Sequence, residues 1–493
     1  MGARAQRGGS WRHRTCAALL TLVAGASPAL QAQVPATSLE RKAAVERSLL
    51  PAVEFMGQAS QGYTLAARMR HYGVPGASVA VIHKGKVDWV GAYGLADVAS
   101  GRKVTPATLF QAASLSKPVA ALAALKLVDR GRLSLDEDVN MRLREWKVPA
   151  DSFTAKRPVT LRELLTHTAG LTVYGYMGYA AGEPLPSLVQ VLEGAKPANS
   201  PPIVVELEPG TRWEYSSSGY IVMQLLVTEQ YGLPFPELMR REVLGPLGMT
   251  ASTYEQPLPD DLRPLAATGY YAGGKAVEGK YHTIPEMAAG GLWTTPADYA
   301  RYIMGMLATA RGEAAPVLSL AMVDTMLTPG LGGWGLGPQI DGAADSLVFE
   351  HGGANPGFRS YFFGAIRSGD GIVVLTNSDA GSQLAGEILR GAGRVYGWPG
   401  HQPQVVRPLA LAPAALEAFV GSYLVPGGPR AEIRRAGDGL VLAVGGGNGQ
   451  TLVATGPDTF VAEDSGQRLR FERNASGKVV AANVSGMRVP KLE

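Results

Sequence analysis

Residues 108–130 read TLFQAASLSKPVAALAALKLVDR. The run holds no glycine, places Ala, Leu and Val near a 3.6-residue period and is followed by Gly131, so it predicts a helix from Thr108 to Arg130. Ser114 and Lys117 stand three positions apart near its start, and side chains at that spacing share one helical face. The lysine amine can therefore reach the serine hydroxyl. An amine kept neutral by burial or by nearby cations can take the hydroxyl proton, while a helix N-terminus offers free backbone N–H groups to a developing oxyanion. Ser-x-x-Lys is a short pattern, and Ser100 to Lys103 repeats it. That second copy contains Gly101 and two cations, precedes Pro106 and reads as a turn. For Ser114 taken alone, a nucleophile and an ordinary helix cap are both open readings.

Composition narrows the class of protein around this helix. A length of 493 residues suggests about three structural units, and 46% apolar against 18% charged residues excludes a disordered chain. The balance of 46 Lys+Arg against 42 Asp+Glu leaves a net charge of +4, with no basic run past the N-terminus, which argues against a nucleic-acid groove. Arg4, Arg7, Arg12, His13 and Arg14 precede an apolar stretch from Cys16 to Leu30 that ends in small residues around Ala29 and Ala32. This is the pattern of a secretory signal peptide over 1–32, and it predicts a periplasmic or secreted protein. Gly25, Ser27 and Pro28 interrupt the apolar run, which falls short of the ~20 residues of a membrane-spanning helix, so no stable span is expected; a retained anchor is the alternative. Cys16 is the only cysteine. A mature chain without it has no disulfide, thiol nucleophile or thiolate metal site.

Along the chain, helical spacing from Leu39 to Tyr72 gives way at Gly73 to Gly76 to two apolar runs, Ala77 to Ile82 and Val87 to Tyr93. These flank His83-Lys84-Gly85-Lys86 as a hairpin. Helices are expected at Ser218 to Tyr231 and at Ala297 to Leu307, the latter opened by Thr295-Pro296-Ala297-Asp298. A second hairpin, Tyr361 to Ile366 and Gly371 to Asn377, precedes a helix from Gln383 to Tyr396. Residues 397–408 carry three prolines and two glycines and read as a linker. Short alternating runs then predict an antiparallel β-barrel or sandwich of about 80 residues. Gly445-Gly446-Gly447-Asn448-Gly449 has no helix after it and reads as one of its hairpin turns, not a phosphate loop.

Three further stretches bear on Ser114. Leu164-Leu165-Thr166-His167-Thr168-Ala169-Gly170-Leu171 ends a helix in a hydroxyl-rich turn; Glu208-Pro209-Gly210 leads into Tyr215-Ser216-Ser217-Ser218-Gly219-Tyr220; and His351-Gly352-Gly353-Ala354 stands just ahead of the second hairpin. With these in order, residues 40 to 395 resemble the serine β-lactamase-like family of penicillin-binding carboxypeptidases, class C β-lactamases, D-aminopeptidases and related esterases. The resemblance implies an α/β fold, an antiparallel sheet flanked by helices plus a helical lobe, with the site between them. It implies Ser114 as nucleophile, Lys117 as its proton partner and Tyr215 as a second acid/base group. It also implies His351 on the strand edge facing the site, with the Gly353-Ala354 step giving the second oxyanion donor beside the Ser114 N–H. Ser217 stands where many relatives carry Asn, and His351 where β-lactamases usually carry Lys, so the amide that holds a substrate carbonyl and the fixed cation for a carboxylate are both missing.

The expected organisation is a signal peptide (1–32), a hydrolase domain (33–396), a linker (397–408) and a C-terminal β-domain (409–493). The expected reaction is acyl transfer from a small-molecule or short-peptide ester or amide, through an acyl-enzyme on Ser114. A β-lactamase or DD-carboxypeptidase acting on β-lactams or cell-wall peptides is the enzymatic alternative, and a non-catalytic peptidoglycan-binding relative is the other. No cofactor is implied, and neither His-Glu-x-x-His nor Gly-x-Ser-x-Gly occurs, so metal catalysis and an α/β-hydrolase are not expected. His167 reads as a hydrogen-bonded structural histidine and receives no role. Tyr174, Tyr176, Met177 and Tyr179 fit either a cleft lining or an ordinary surface loop.

Overall fold

The computed structural model describes residues 37–57, 62–314, 316–342, 346–425, 430–444, 449–484 and 487–492. The signal-peptide reading of 1–32 and the turn reading of 445–448 lie outside them. Among the described residues no helix is long and apolar enough to cross a membrane.

The apolar runs of the two hairpins build one seven-stranded antiparallel sheet. Its strands are β1 (Gly76–His83), β2 (Lys86–Asp97), β3 (Arg102–Lys103), β4 (Gln339–Asp341), β5 (Val348–Asn355), β6 (Phe358–Ala365) and β7 (Asp370–Thr376), in the spatial order β3-β2-β1-β7-β6-β5-β4. The turn between β1 and β2 puts Lys84 and Gly85 at φ 52° and 78°, the left-handed pair that matches strand twist. The first and last strands of this sheet in sequence thus meet in its middle, with Val79 opposite Val374.

Seven helices frame this sheet and the site: α1 (Ser38–Arg47), α2 (Leu65–Tyr72), α3 (Ser116–Asp129), α4 (Ser218–Tyr231), α5 (Met287–Gly290), α6 (Pro296–Ala310) and α7 (Gly381–Tyr396). Val79, Val81, Ile372 and Val374 pack with residues of α1, α2 and α7, whereas Ala80, Ile82, Val373 and Leu375 join the core of α3, α4 and α6. Period-two alternation therefore serves two cores at once, which is why both strands read as unbroken apolar runs.

Local chemistry shifts two of the expected helices. The stretch Leu39 to Tyr72 is not one helix: Pro51 and the left-handed Gly57 and Gly62 divide it into α1, a short strand Val53–Phe55 and α2. The helix expected from Thr108 begins only at Ser116, after a strand Phe110–Gln111 paired with Trp293–Thr294 and a 3₁₀ turn Ala113–Leu115. Pro118 explains the late start, because proline is tolerated in the first helical turn and not further inside.

The C-terminal alternation becomes an eight-stranded antiparallel barrel from Gly421 to Pro490, whose end strands approach through a Tyr423–Lys491 bridge. Phe419, Tyr423, Phe460 and Phe471 fill its interior with mutual ring contacts. The strands Gly421–Leu424 and Met487–Pro490, absent from the sequence reading, complete the wall. Residues 397–408 are not the unpacked stretch their prolines suggest. Trp398 is buried against Phe363 and Tyr396, and Gln404–Val406 pairs in parallel with Val53–Phe55. Close by, the Arg68 guanidinium meets Glu387 at 2.6 Å and the barrel's Asp464 at 2.7 Å, with its side chain 8% exposed and that of Glu387 fully buried. A buried charge of this kind is tolerated because it is paired.

Candidate active site

The turn before α3 is held from every side. Ser360 Oγ donates to the Ala112 carbonyl at 2.6 Å, Ser116 Oγ donates to Ala113 O at 2.6 Å and accepts from Leu292 N–H at 2.9 Å. The Tyr254 and Tyr299 hydroxyls donate to Ser116 O and Leu115 O at 2.7 and 3.0 Å. Ala113 is forced to φ 51°, a left-handed conformation that costs a non-glycine residue about 1 kcal/mol or more and that surrounding contacts must impose. Strand β5 comes equally close: a Cβ on Gly353 would stand 2.6 Å from Ala112 O. Only glycine permits that approach.

Ser114 is the middle residue of this strained turn. Lys117, fully buried, donates from Nζ to Ser114 Oγ at 3.0 Å and to the Ala289 carbonyl of α5 at 2.8 Å. The same nitrogen lies 5.2 Å from the centre of the Tyr215 ring and 5.7 Å from that of Tyr220. Groups separated by a hundred residues thus converge on one amine. Ser114, Gly352, Gly353, Ala354, Arg359 and Tyr361 border a cavity of about 510 Å³, within the range that takes a small organic ligand. Ser217 is buried at the N-terminus of α4, where its neighbours Ser216 and Ser218 share a hydroxyl hydrogen bond of 2.6 Å.

An aromatic wall stands behind the pair. His167 stacks on Tyr215 at 4.2 Å between ring centres, and Trp334 meets His167, Tyr215 and His351 edge-on at 5.0, 5.7 and 5.3 Å. The His351 Nδ1 lies 2.5 Å from the Gly352 carbonyl, which only accepts, so Nδ1 carries the proton and the buried, unpartnered Nε2 presents a lone pair. Burial, and then the charge of Lys117, hold the His351 imidazole down to about 3. His167 is pushed well below its ordinary range by burial first and by Lys117 and His351 next. The wall is uncharged at neutral pH.

A pH dependence of stability follows from these groups. His351 and His401, held at about 3 and about 4, and the likewise depressed His167 stay neutral in the fold while the unfolded chain takes up protons below about 6.5. Unfolding then binds protons, so stability is lost as pH falls below about 6.5. Glu286 opposes this: burial raises its carboxyl to about 7, and the stability it adds is present below its ordinary range and is lost as pH rises through about 7. Glu163, Glu350 and Glu463, whose carboxyls burial also raises, act in the same sense as Glu286, and the three depressed histidines, neutral in the fold and charged in the unfolded chain, set the direction between about pH 6.5 and pH 4.5. The melting temperature is therefore expected to fall steadily from pH 6.5 to pH 4.5 in thermal unfolding followed by circular dichroism; a flat profile would contradict the neutral wall.

Sequence reasoning singled out Ser114, Lys117, Tyr215, His351 and Gly353, and the fold brings these together. It missed Ser116, Trp334 and Glu286. Ser116 is hidden inside the Ser-x-x-Lys pattern itself, Trp334 stands in a glycine-rich stretch with no periodicity, and Glu286 resembles an ordinary helix-start acid. Yet Glu286 is fully buried with both carboxylate oxygens unpartnered, within electrostatic reach of the Tyr176 hydroxyl, also buried and unpartnered. In the aromatic loop, Tyr179 is core whereas Tyr174 and Met177 are exposed.

The family model described as Beta-lactamase matches residues 64–393, about two thirds of the sequence. The chain belongs to the Beta-lactamase family. Among curated relatives, Protein Rv1367c of Mycobacterium tuberculosis is 31% identical over 276 residues, which cover 51% of this chain and 67% of that protein. Esterase EstB of Burkholderia gladioli is 34% identical over 190 residues, covering 37% of this chain and 47% of the esterase. The octameric penicillin-binding protein homologue from Pyrococcus abyssi superimposes with a TM-score of 0.60 at 23% identity, over 87% of this chain and 98% of that one. This last likeness concerns the fold alone. The Beta-lactamase match ends at residue 393, before the barrel begins at Gly421.

Proposed function

We propose that this protein is an exported serine hydrolase that cleaves an ester or amide bond through an acyl-enzyme on Ser114. The observation that carries the reading is the 3.0 Å hydrogen bond from Lys117 Nζ to Ser114 Oγ on a strained turn at the mouth of a cavity. In this reaction Lys117, entering as the neutral amine, takes the hydroxyl proton as Oγ attacks the carbonyl carbon, and returns it to Oγ when the acid is released. The backbone N–H groups of Ser114 and Ala354 receive the oxyanion, and each such donor is worth about 3 kcal/mol in the transition state. Tyr215, stationed beside the Lys117 ammonium, passes a proton to the leaving group and then draws one from the water that releases the acid. Export rests on the basic and apolar pattern of residues 1–32.

The neutral wall favours an ester over a β-lactam or a peptide carboxylate. With its proton on Nδ1 and a lone pair on Nε2, His351 offers a hydrogen-bond acceptor where a fixed cation would be needed for a carboxylate. The match to a relative named an esterase agrees with this. A side-by-side assay with a short-chain p-nitrophenyl ester, a D-amino-acid amide and a chromogenic cephalosporin tests the choice. The ester is expected to turn over fastest by kcat/KM, by about 10-fold or more over the cephalosporin, since an unmet buried charge is heavily penalised. Faster turnover of the cephalosporin would assign a β-lactamase or carboxypeptidase instead, and a stable acyl adduct without turnover would assign a binding protein.

A further inference from the structure

The proposed reaction leaves His167 unused, although few side chains near the site are so firmly fixed. Its backbone is left-handed, at φ 58°, where a non-glycine residue stays only under constraint from its surroundings. Nδ1 lies between both backbone groups of one residue: the Ser216 N–H donates to it at 3.2 Å, and Ser216 O is 3.0 Å away. Ser216 directly follows Tyr215. One face of the imidazole stacks on the Tyr215 ring at an interplanar angle of 29°, while Tyr220 and Trp334 contact the ring at 5.5 and 5.0 Å. The histidine therefore grips both the backbone beside the tyrosine and the aromatic ring itself.

We infer that His167 is the positioning residue for Tyr215: it holds the phenol ring over Lys117 Nζ by stacking on the ring and clamping the Ser216 backbone. The inference rests on the reading of Tyr215 as the acid/base group. Tyr215 itself is only partly buried and stands at the end of the loop that follows Pro209-Gly210, so its ring needs a fixed surface to hold its orientation. Trp334 supplies an edge, and His167 supplies a face. Burial keeps the imidazole uncharged, so no second cation competes beside Lys117. The titratable groups that face the ring are Tyr215 and Tyr220 by contact, and Lys117 from α3 and His351 from β5 electrostatically.

The test is a double-mutant cycle on ester hydrolysis, with Tyr215→Phe as the second change. His167→Asn keeps a residue that tolerates the left-handed backbone and removes the ring. It is expected to lower kcat by about 10- to 100-fold, the cost of misplacing a proton-transfer group by an ångström, with KM changed less than about threefold. In the Tyr215→Phe background the same change should lower kcat by less than about twofold, because the phenol it positions is gone. His167→Gly, which takes the left-handed backbone without strain and loses both the stack and the clamp, should cost about 10- to 100-fold and follow the same pattern, so the cycle is decided even where the asparagine variant fails to fold. Losses that multiply in the double variants, or a raised KM at unchanged kcat, would overturn the inference. Ser114→Ala assayed alongside separates the two levels: hydrolysis persisting in that variant would bring down the acyl-enzyme reading itself, whereas an inactive Ser114→Ala with multiplying His167 losses would refute only the positioning role.

Discussion

Ser114→Ala is expected to abolish covalent labelling by a fluorophosphonate and to lower kcat on a p-nitrophenyl ester by at least about 10⁴-fold, as loss of a nucleophile does in other acyl-transfer enzymes. Stability should hardly change. The turn is fixed by Ser116, Ser360, Tyr254 and Tyr299, none of which is touched, and the Lys117 ammonium keeps its 2.8 Å bond to Ala289 O when the Ser114 hydroxyl is gone. Mass spectrometry of the labelled wild type should place the adduct on the peptide carrying Ser114. An adduct that forms equally well on the alanine variant would mean that the reactive oxygen lies elsewhere.

Lys117→Met is expected to cost about 10³- to 10⁴-fold in kcat, the range of a general base acting on a hydroxyl nucleophile. The thioether fills most of the same space but donates no proton and accepts none from Ser114. Unlike the serine change, this one should also lower the melting temperature, because Ala289 O loses a donor inside the protein, and an unsatisfied buried carbonyl costs about 1–3 kcal/mol. Fluorophosphonate labelling should slow by a comparable factor, since the same proton must leave Oγ. A variant retaining more than about a tenth of wild-type kcat would show that Lys117 is a structural cation.

The parts of this architecture that could be read from the sequence are those whose cause is local. The two hairpins were legible because strands buried on both faces must be apolar without interruption, and the helix Ser218–Tyr231 because its apolar periodicity ends at a glycine. Ser114 and Lys117 were legible because three-residue spacing, here across the 3₁₀ turn and the start of α3, brings their side chains together. What escaped depends on contacts between distant segments. Neither the strained Ala113 nor the late start of α3 has a signature in the run 108–130 other than Pro118, and the barrel's first and last strands are too short to show alternation. His167 was read correctly as hydrogen-bonded, through Ser216, but its stack on Tyr215 joins two loops that no spacing rule connects. Trp334 reaches the same wall from a third segment, across more than a hundred further residues.

The parallel pairing of Val53–Phe55 with Gln404–Val406 and the reach of Asp464 to Arg68 give the barrel a particular status in the history of such a chain. Ala52, Val53, Val406 and Val461 form one small apolar cluster drawn from the segment before α2, the segment after α7 and the barrel wall. A module acquired by simple end-to-end gene fusion would need none of these matched residues in the older part. Exchange of the barrel between homologous enzymes should therefore succeed only when residues around 50–57 and position 68 travel with it.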